Sequence, residues 1–347
     1  MPTIIAAAAI GRDDDGADWQ LRPEEHARML PAEAGALRRV LERDEFKEII
    51  ARFRQADTSA IIAQGRYKRI GRAGLYAATL ATLVGALFLM PLEPWLKGQP
   101  AVFASAVQVL GLLLAFLASR LLAAVKPFDS WMKSRAEAEM ARVELFDVVA
   151  KAEEVTRAGE IPLLPLKLEY FRRYQLEVQR RYYSGRGATH AASVWRNNRL
   201  LRMSMLITTA SVLLAAFAGL NIAAAWDVPV PAPLRSWSAS LAGPETHRLL
   251  LGLGVVASGL YGLGVARSLM DLDERNASRF LTAAENLGYL TDTRLPQACE
   301  AAANGAVDEV LSFIASVQDL IASEHKEWIL LSSRERKLDR LRRSATS

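Results

Sequence analysis

Four histidines, His26, His190, His247 and His325, and one cysteine, Cys299, are the side chains of this chain best suited to hold a metal or attack a substrate. None of the histidines has a second histidine or a cysteine at metal-ligand spacing, so metal chemistry finds no support. A lone cysteine forms neither an internal disulfide nor a cysteine metal cluster, and Cys299 reads as a small buried apolar residue. Glu324-His325, followed by Glu327-Trp328, could serve as a pH sensor or an acid–base pair; a half-exposed helical histidine salt-bridged to a neighbour is the plainer reading. Gly252, Gly254, Gly259, Gly262 and Gly264 lie inside an apolar run, away from any strand-to-helix turn, and form no phosphate loop. With no acid, base and nucleophile at recognisable spacing, the expectation is a chain that is not an enzyme and that holds no cofactor or metal.

Chemistry of another kind lies in the solvent the chain selects. Four stretches, about 73–92, 101–119, 203–226 and 249–266, run about 18 to 24 residues without a formal charge. At 1.5 Å rise per residue each approaches or matches a hydrocarbon core of roughly 30 Å. A buried helix of a soluble bundle would show a polar stripe, and none interrupts Leu110 to Leu117 or Val212 to Ala218. The expected fold class is therefore an all-α membrane protein, four transmembrane helices arranged as two hairpins with long cytoplasmic helices. Arg66, Lys68, Arg69 and Arg72 precede the first span and Arg120, Lys126, Lys133 and Arg135 follow the second. Arg196, Arg199 and Arg202 precede the third, and Arg267, Arg275 and Arg279 follow the fourth. The linkers within the hairpins carry only Lys97 and Arg235 before His247, so both termini are expected in the cytoplasm. Trp95, Trp226 and Trp237 stand where an outer aromatic belt would lie. The net charge of +5 gathers beside the spans, where topology and anionic lipid account for it, which makes a nucleic-acid partner unlikely and a lipid bilayer the expected one.

Polar residues inside hydrocarbon should face protein or water. Gln108 and Asn221 stand out, supported by Thr79 and Thr209 and by Thr82, Ser105, Thr208 and Ser211. They could line a pore for a partly hydrated ion or clip one helix to another. Gly254, Ser258 and Gly262, four apart, offer a small-residue face either for packing within the chain or for assembly of a homo-oligomer. No charge sits mid-span, which argues against a proton-coupled pump or a voltage sensor.

The chain reads as a duplication. An offset of 130 lays Arg66, Arg69, Arg72 and Thr79 on Arg196, Arg199, Arg202 and Thr209, and a larger one lays Asp129 and Ser134-Arg135 on Asp273 and Ser278-Arg279. The expected organisation is a mobile N-terminal tail, 1–30, a first helix-hairpin-helix module, 31–160, and a second, 166–347. The tail has no preceding basic region for a signal peptide. Leu37, Val40, Leu41, Phe46, Ile49, Ile50 and Phe53 form an amphipathic stripe. Helices follow over about 130–157, stopping at Gly159 before Pro162 and Pro165, and over about 166–201, where Gly185 and Gly187 are positioned to break or bend it. Two more cover about 268–290 and 297–343, the last with Val307, Val310, Leu311, Ile314, Val317 and Ile321 at bundle or coiled-coil spacing.

The cytoplasmic flanks carry a family resemblance. Trp131 to Arg142, with Arg135 and Glu139, resembles the tryptophan, then arginine-alanine-x-glutamate, pattern of the SLATT family, the SMODS- and SLOG-associating two-transmembrane effector domains. Tyr170 to Tyr183, with Tyr174, Gln179 and Tyr183, is similar to the helix before that family's hairpin, and Glu324, His325 and Trp328 look like its closing motif. The resemblance implies two tandem modules in the inner (plasma) membrane of a bacterium. It further implies a pore-forming or membrane-disrupting effector of antiviral defence, silent until a nucleotide-sensing or second-messenger-producing partner protein triggers it. The matched residues would shape the helices that receive the signal. A non-catalytic membrane scaffold that recruits a cytoplasmic partner is the alternative.

Overall fold

The computed structural model of the 347-residue chain describes residues 20–92, 97–224, 231–233 and 243–323, together with residues 5, 6 and 10. Among them there are helices and no strands. Helix α1 (Pro23–Met29) opens with proline at its first turn, where the ring costs no hydrogen bond, and with Glu24 and Glu25 against the positive end of the helix dipole. A single 3₁₀ turn (Ala32–Ala34) leads into α2 (Gly35–Leu41), which buries Leu37, Val40 and Leu41. Next come α3 (Glu45–Leu87), α4 (Gln99–Val125), α5 (Pro127–Lys151) and α6 (Leu163–Phe171). A turn of π-helix, Arg172–Glu177, joins α6 to α7 (Val178–Ala224). The remainder is α8 (Pro244–Asp271), α9 (Asp273–Thr293), α10 (Leu295–Ala303) and α11, described over residues 307–323.

Four of these helical stretches are long and apolar enough to cross a membrane, and the chain is an all-α, multi-pass membrane protein. Helices α3 and α7, at 43 and 47 residues, are roughly twice the length that hydrocarbon can hold. Each therefore carries a span at one end and a polar segment at the other.

Two compact units are present, and they cut across the two modules expected from the sequence. Unit 1 comprises residues 1–65, 127–189 and 275–347; unit 2 comprises 66–126 and 190–274. Unit 1 holds a continuous apolar core in which the predicted stripe of α2 and α3, from Leu37 to Phe53, meets Leu145 and Phe146 of α5 and Phe171 of α6. In α11, Val310, Ile314, Val317 and Ile321 are buried in the same core, so their spacing serves a bundle, while Val307 stays exposed. Unit 2 packs small residues: Ala81, Ala86, Gly111, Ser204, Ser211, Ala215, Gly254 and Ala257 are among its buried positions, and many of its large apolar side chains point outward.

Several boundaries differ from the sequence reading. The packed structure begins before residue 31: His26 of α1, assigned to the tail, is buried, with its ring stacked on Tyr174 at 3.8 Å and its Nδ1 3.0 Å from the Tyr170 hydroxyl. Helix α5 ends at Lys151 rather than near Arg157, because Lys167 Nζ donates to the Ala152 carbonyl at 2.8 Å and the chain then runs on until the Ile161 amide reaches the Glu33 carbonyl. Helix α7 runs unbroken through Gly185 and Gly187; a Cβ at Gly187 would stand 2.9 Å from Leu281, so this glycine admits α9 at close range. The irregularity lies earlier, in the π turn. The helix expected from 297 is interrupted at Gly305, whose φ of +76° only glycine adopts cheaply.

The exits of the two hairpins share a backbone feature, at positions that the larger offset does not pair. Lys126 after α4 and Leu272 after α8 are both left-handed, at φ +47° and +52°, and each is followed at once by the next helix. Non-glycine residues in this region are uncommon.

Candidate functional site

Arg135, Glu139 and Arg142 recur at i, i+4 and i+7 on α5 and so share one face of that helix. Gln175 in the π turn and Gln179 and Tyr183 in α7 supply the opposing face. The wider turn lets Tyr174, Gln175 and Leu176 all be buried, so that Tyr174 meets His26 while Gln175 meets α5.

The result is a polar cluster closed inside unit 1. Glu139 is 3% exposed, Gln179 1%, and Arg142 and Gln175 fully buried. Arg135 forms an ion pair with Glu139 one turn away and reaches Asp57 of α3 at 3.3 Å. Gln179 Nε2 donates to Glu139 Oε2 at 3.3 Å, and Arg142 Nη1 donates to Gln175 Oε1 at 3.4 Å. The guanidiniums also lie over rings, Arg142 over Phe53 at 5.6 Å and Arg135 over Tyr182 at 5.7 Å. Tyr183 stacks on Phe280 of α9 at 5.8 Å. Burial pushes the Asp57 carboxyl above the usual carboxylate range, with Arg135 pulling the other way and Glu139 adding to the rise. Burial disfavours the Arg135 cation, yet Glu139, Tyr182 and Asp57 outweigh it and hold the guanidinium above its ordinary value. Through these contacts the cluster ties α3, α5 and α7 together. Two of those three helices also carry a membrane span.

Of the residues singled out in the sequence, Arg135, Glu139 and Gln179 meet directly, and Tyr174 and Tyr183 flank them. Trp131 lies outside the cluster, edge-on to Phe128 at 5.8 Å. Glu324, His325 and Trp328 fall outside the described residues, as do Trp95, Trp226 and Trp237. Asp57, Arg142 and Gln175 escaped notice: a carboxylate far along the chain has no spacing signal, and the two others were hidden within helical motifs. Cys299 is half-buried, and burial raises its thiol pKa.

Inside unit 2 the polar span residues divide. Gln108 lies against the Cα of Gly85, where an added Cβ would stand 2.7 Å from its amide nitrogen, and Thr79 donates to the Leu75 carbonyl of its own helix at 2.9 Å. Thr209 is exposed, and Asn221 lies in α7 with its side chain outside the described residues. Gly254 approaches Ser211, Ser258 lies one turn on, and a Cβ at Gly262 would meet nothing within 4 Å. Closer contacts fall on the neighbouring glycines, Gly252 on Met90, Gly259 on Thr82 and Gly264 on Leu201 and Asn197. Among the described residues no group of three histidine, cysteine or acidic side chains could hold a metal.

Residues 51–143 match a family model, SMODS and SLOG-associating 2TM effector domain 3. The match takes in Asp57, both helices of the first hairpin, and Arg135, Glu139 and Arg142, and it ends before the glutamine face. No curated protein and no solved structure matches the chain. Through the first hairpin and the charged face of α5, about a quarter of its length, the chain is similar to the SMODS and SLOG-associating 2TM effector domains.

Proposed function

We propose that this chain is a pore-forming or membrane-disrupting effector of a prokaryotic defence system, acting by assembly in the bilayer and not by catalysis. The observation that carries the reading is α4. It lies within the matched effector domain, yet only 6% of its most apolar window is buried by the rest of the chain. Val102, Phe103, Val109, Leu110, Phe116 and Leu117 all face outward. Such a helix is satisfied by lipid or by other copies of itself, and rearrangement among copies costs it little because acyl chains and leucines are equally apolar. In this reading residues 166–347 form the second module, the inner membrane is the site of action, and the chain works as a homo-oligomer. The trigger comes from a nucleotide-sensing or second-messenger-producing partner, and the buried cluster of unit 1 is the restraint it releases.

A scaffold that does not conduct is the second reading. Thr79, which donates to a carbonyl of its own helix, and Gln108, which packs against Gly85, favour it, since neither reads as a group kept free to line a pore.

Dye release from liposomes separates the two. Wild type and Arg135→Glu are reconstituted into vesicles loaded with a self-quenching dye, the variant placing repulsion where the Asp57 and Glu139 pairs stood. Faster release with the variant than with wild type at equal protein supports the effector. No release from either at any protein-to-lipid ratio overturns it and leaves the scaffold.

A further inference from the structure

Within unit 2, α7 turns one face to α8. Asn197 Nδ2 donates to the Gly264 carbonyl at 2.8 Å, a Cβ at Gly264 would stand 2.8 Å from Leu201, and Ser204 and Ser211 are buried further along the same face. The opposite face carries Trp195, Arg199, Arg202, Leu206, Thr209 and Leu213, spaced by three and four so that they form a single stripe, and all six are exposed. The stripe changes character at Met203, where the charge-free run begins. Arg202 and Arg199 precede that point by about 1.5 and 6 Å along the helix axis. A headgroup layer is roughly 5–8 Å deep on each side of the hydrocarbon, so both guanidiniums lie within it. Arg199 stands over the Trp195 ring at 5.9 Å, which holds it on the stripe. Among the described residues neither Arg199 nor Arg202 has a carboxylate partner. The acids at this end of the spans are engaged elsewhere, Asp271 with Arg72 at 3.4 Å and Asp273 with His190 at 2.6 Å.

We propose that this stripe holds an anionic phospholipid, its phosphate between Arg199 and Arg202 and its acyl chains along Leu206 and Leu213. Two guanidiniums without a carboxylate, set at headgroup depth above an apolar track, match a net negative headgroup on two tails. A zwitterionic headgroup brings its own ammonium and answers them less well. A second copy of the chain fits the stripe poorly. Copies inserted in one orientation place Arg199 and Arg202 at the same depth as their equals, and like charges then face each other. Topology alone does not account for the pattern either, because it asks for basic residues on one flank and not for two of them on the outward stripe of one helix. Binding here needs only that α7 span a bilayer and does not depend on the effector reading.

The test uses the full chain with a photo-crosslinking residue at Thr209, reconstituted into vesicles of equal phosphatidylglycerol and phosphatidylcholine, and the adducts formed on illumination are identified by mass. Phosphatidylglycerol adducts should outnumber phosphatidylcholine adducts by about fivefold or more, the factor that one arginine near an anionic surface supplies. Arg199→Gln combined with Arg202→Gln should bring the ratio back to that of the vesicle. Arg199→Lys combined with Arg202→Lys keeps both charges and should retain the enrichment, which separates lost charge from lost fold. Arg196→Gln removes a charge from the same flank but off the stripe, and it should leave the enrichment in place. Equal labelling of the two lipids by wild type overturns the proposal, as does an enrichment that survives the double glutamine substitution or is lost with Arg196→Gln. A crosslink formed mainly to a second copy overturns it as well, since the stripe then has a protein occupant. So does loss of the enrichment on adding inorganic phosphate at constant ionic strength, because a free anion then holds the arginines. Dye release is read separately and bears only on the effector reading.

Discussion

Arg39 shows at the scale of one residue how unit 1 holds its least regular segment. Its guanidinium donates to Glu160 at 2.8 Å and to Glu154 at 3.1 Å, across the non-helical stretch between α5 and α6. The hydrogen bond from Arg39, with help from the Arg157 backbone amide, pulls the Glu160 carboxyl down to about 2, and Arg43 and Arg39 lower that of Glu154. A carboxyl depressed on folding stabilises the folded chain above its unfolded value of about 4.5, and that contribution fades as the pH falls toward 2. Arg39→Ala should therefore melt at a lower temperature than wild type near neutral pH, with the gap closing between about pH 5 and pH 2. Thermal melts at a series of pH values check this, and a gap constant across the series would overturn it. Arg39 itself was not legible in the sequence, because both its partners lie more than a hundred residues away. Arg135, Glu139 and Gln179 were singled out through the family resemblance alone, and no spacing in the chain tells that they meet.

At the scale of elements, the helices follow from periodicity and from runs of apolar residues, while their breaks do not. Lys126 and Leu272 carry no turn signal in their types, and only the geometry of the hairpin exits requires them to be left-handed. Helix contacts are equally specific. A Cβ at Gly111 of α4 would stand 2.8 Å from the Ala77 carbonyl oxygen and 3.1 Å from the Ala81 Cβ of α3, and backbone cannot step aside as a flexible side chain can. Gly262 of α8 has open space instead. Gly111→Leu should cost the first hairpin about 1–3 kcal/mol through overpacking. Gly262→Ala should be neutral or slightly stabilising, as alanine is the better helix former. Unfolding of both variants in detergent decides it, and equal destabilisation would show that the Gly254, Ser258 and Gly262 face is packed after all.

Over the whole molecule, the repeat of helix, hairpin and helix was visible along the chain, whereas the grouping into compact units was not. Periodicity reports which face of a helix is buried but not against which other helix, and the core of unit 1 joins segments from residue 6 to residue 321. What sorts the segments is solvent preference. Charged amphipathic helices gather in one unit, and charge-free spans gather in the other.

That sorting predicts a topology. Four spans return the chain to the side on which it started, and arginine and lysine crowd the same side of all four: Arg66, Lys68, Arg69 and Arg72 before the first, Lys126 after the second, Arg196, Arg199 and Arg202 before the third, Arg267 after the fourth. Each basic residue resists translocation, so the bias of the flanks orients the whole set and leaves Lys97, in the first hairpin's link, outside. In a Cys299→Ala background, Lys97→Cys and Glu274→Cys provide exposed thiols at the two ends of the spans. A membrane-impermeant maleimide added to intact cells should label the thiol at position 97 and spare the one at 274 until the cells are opened. Labelling of 274 in intact cells would reverse the topology.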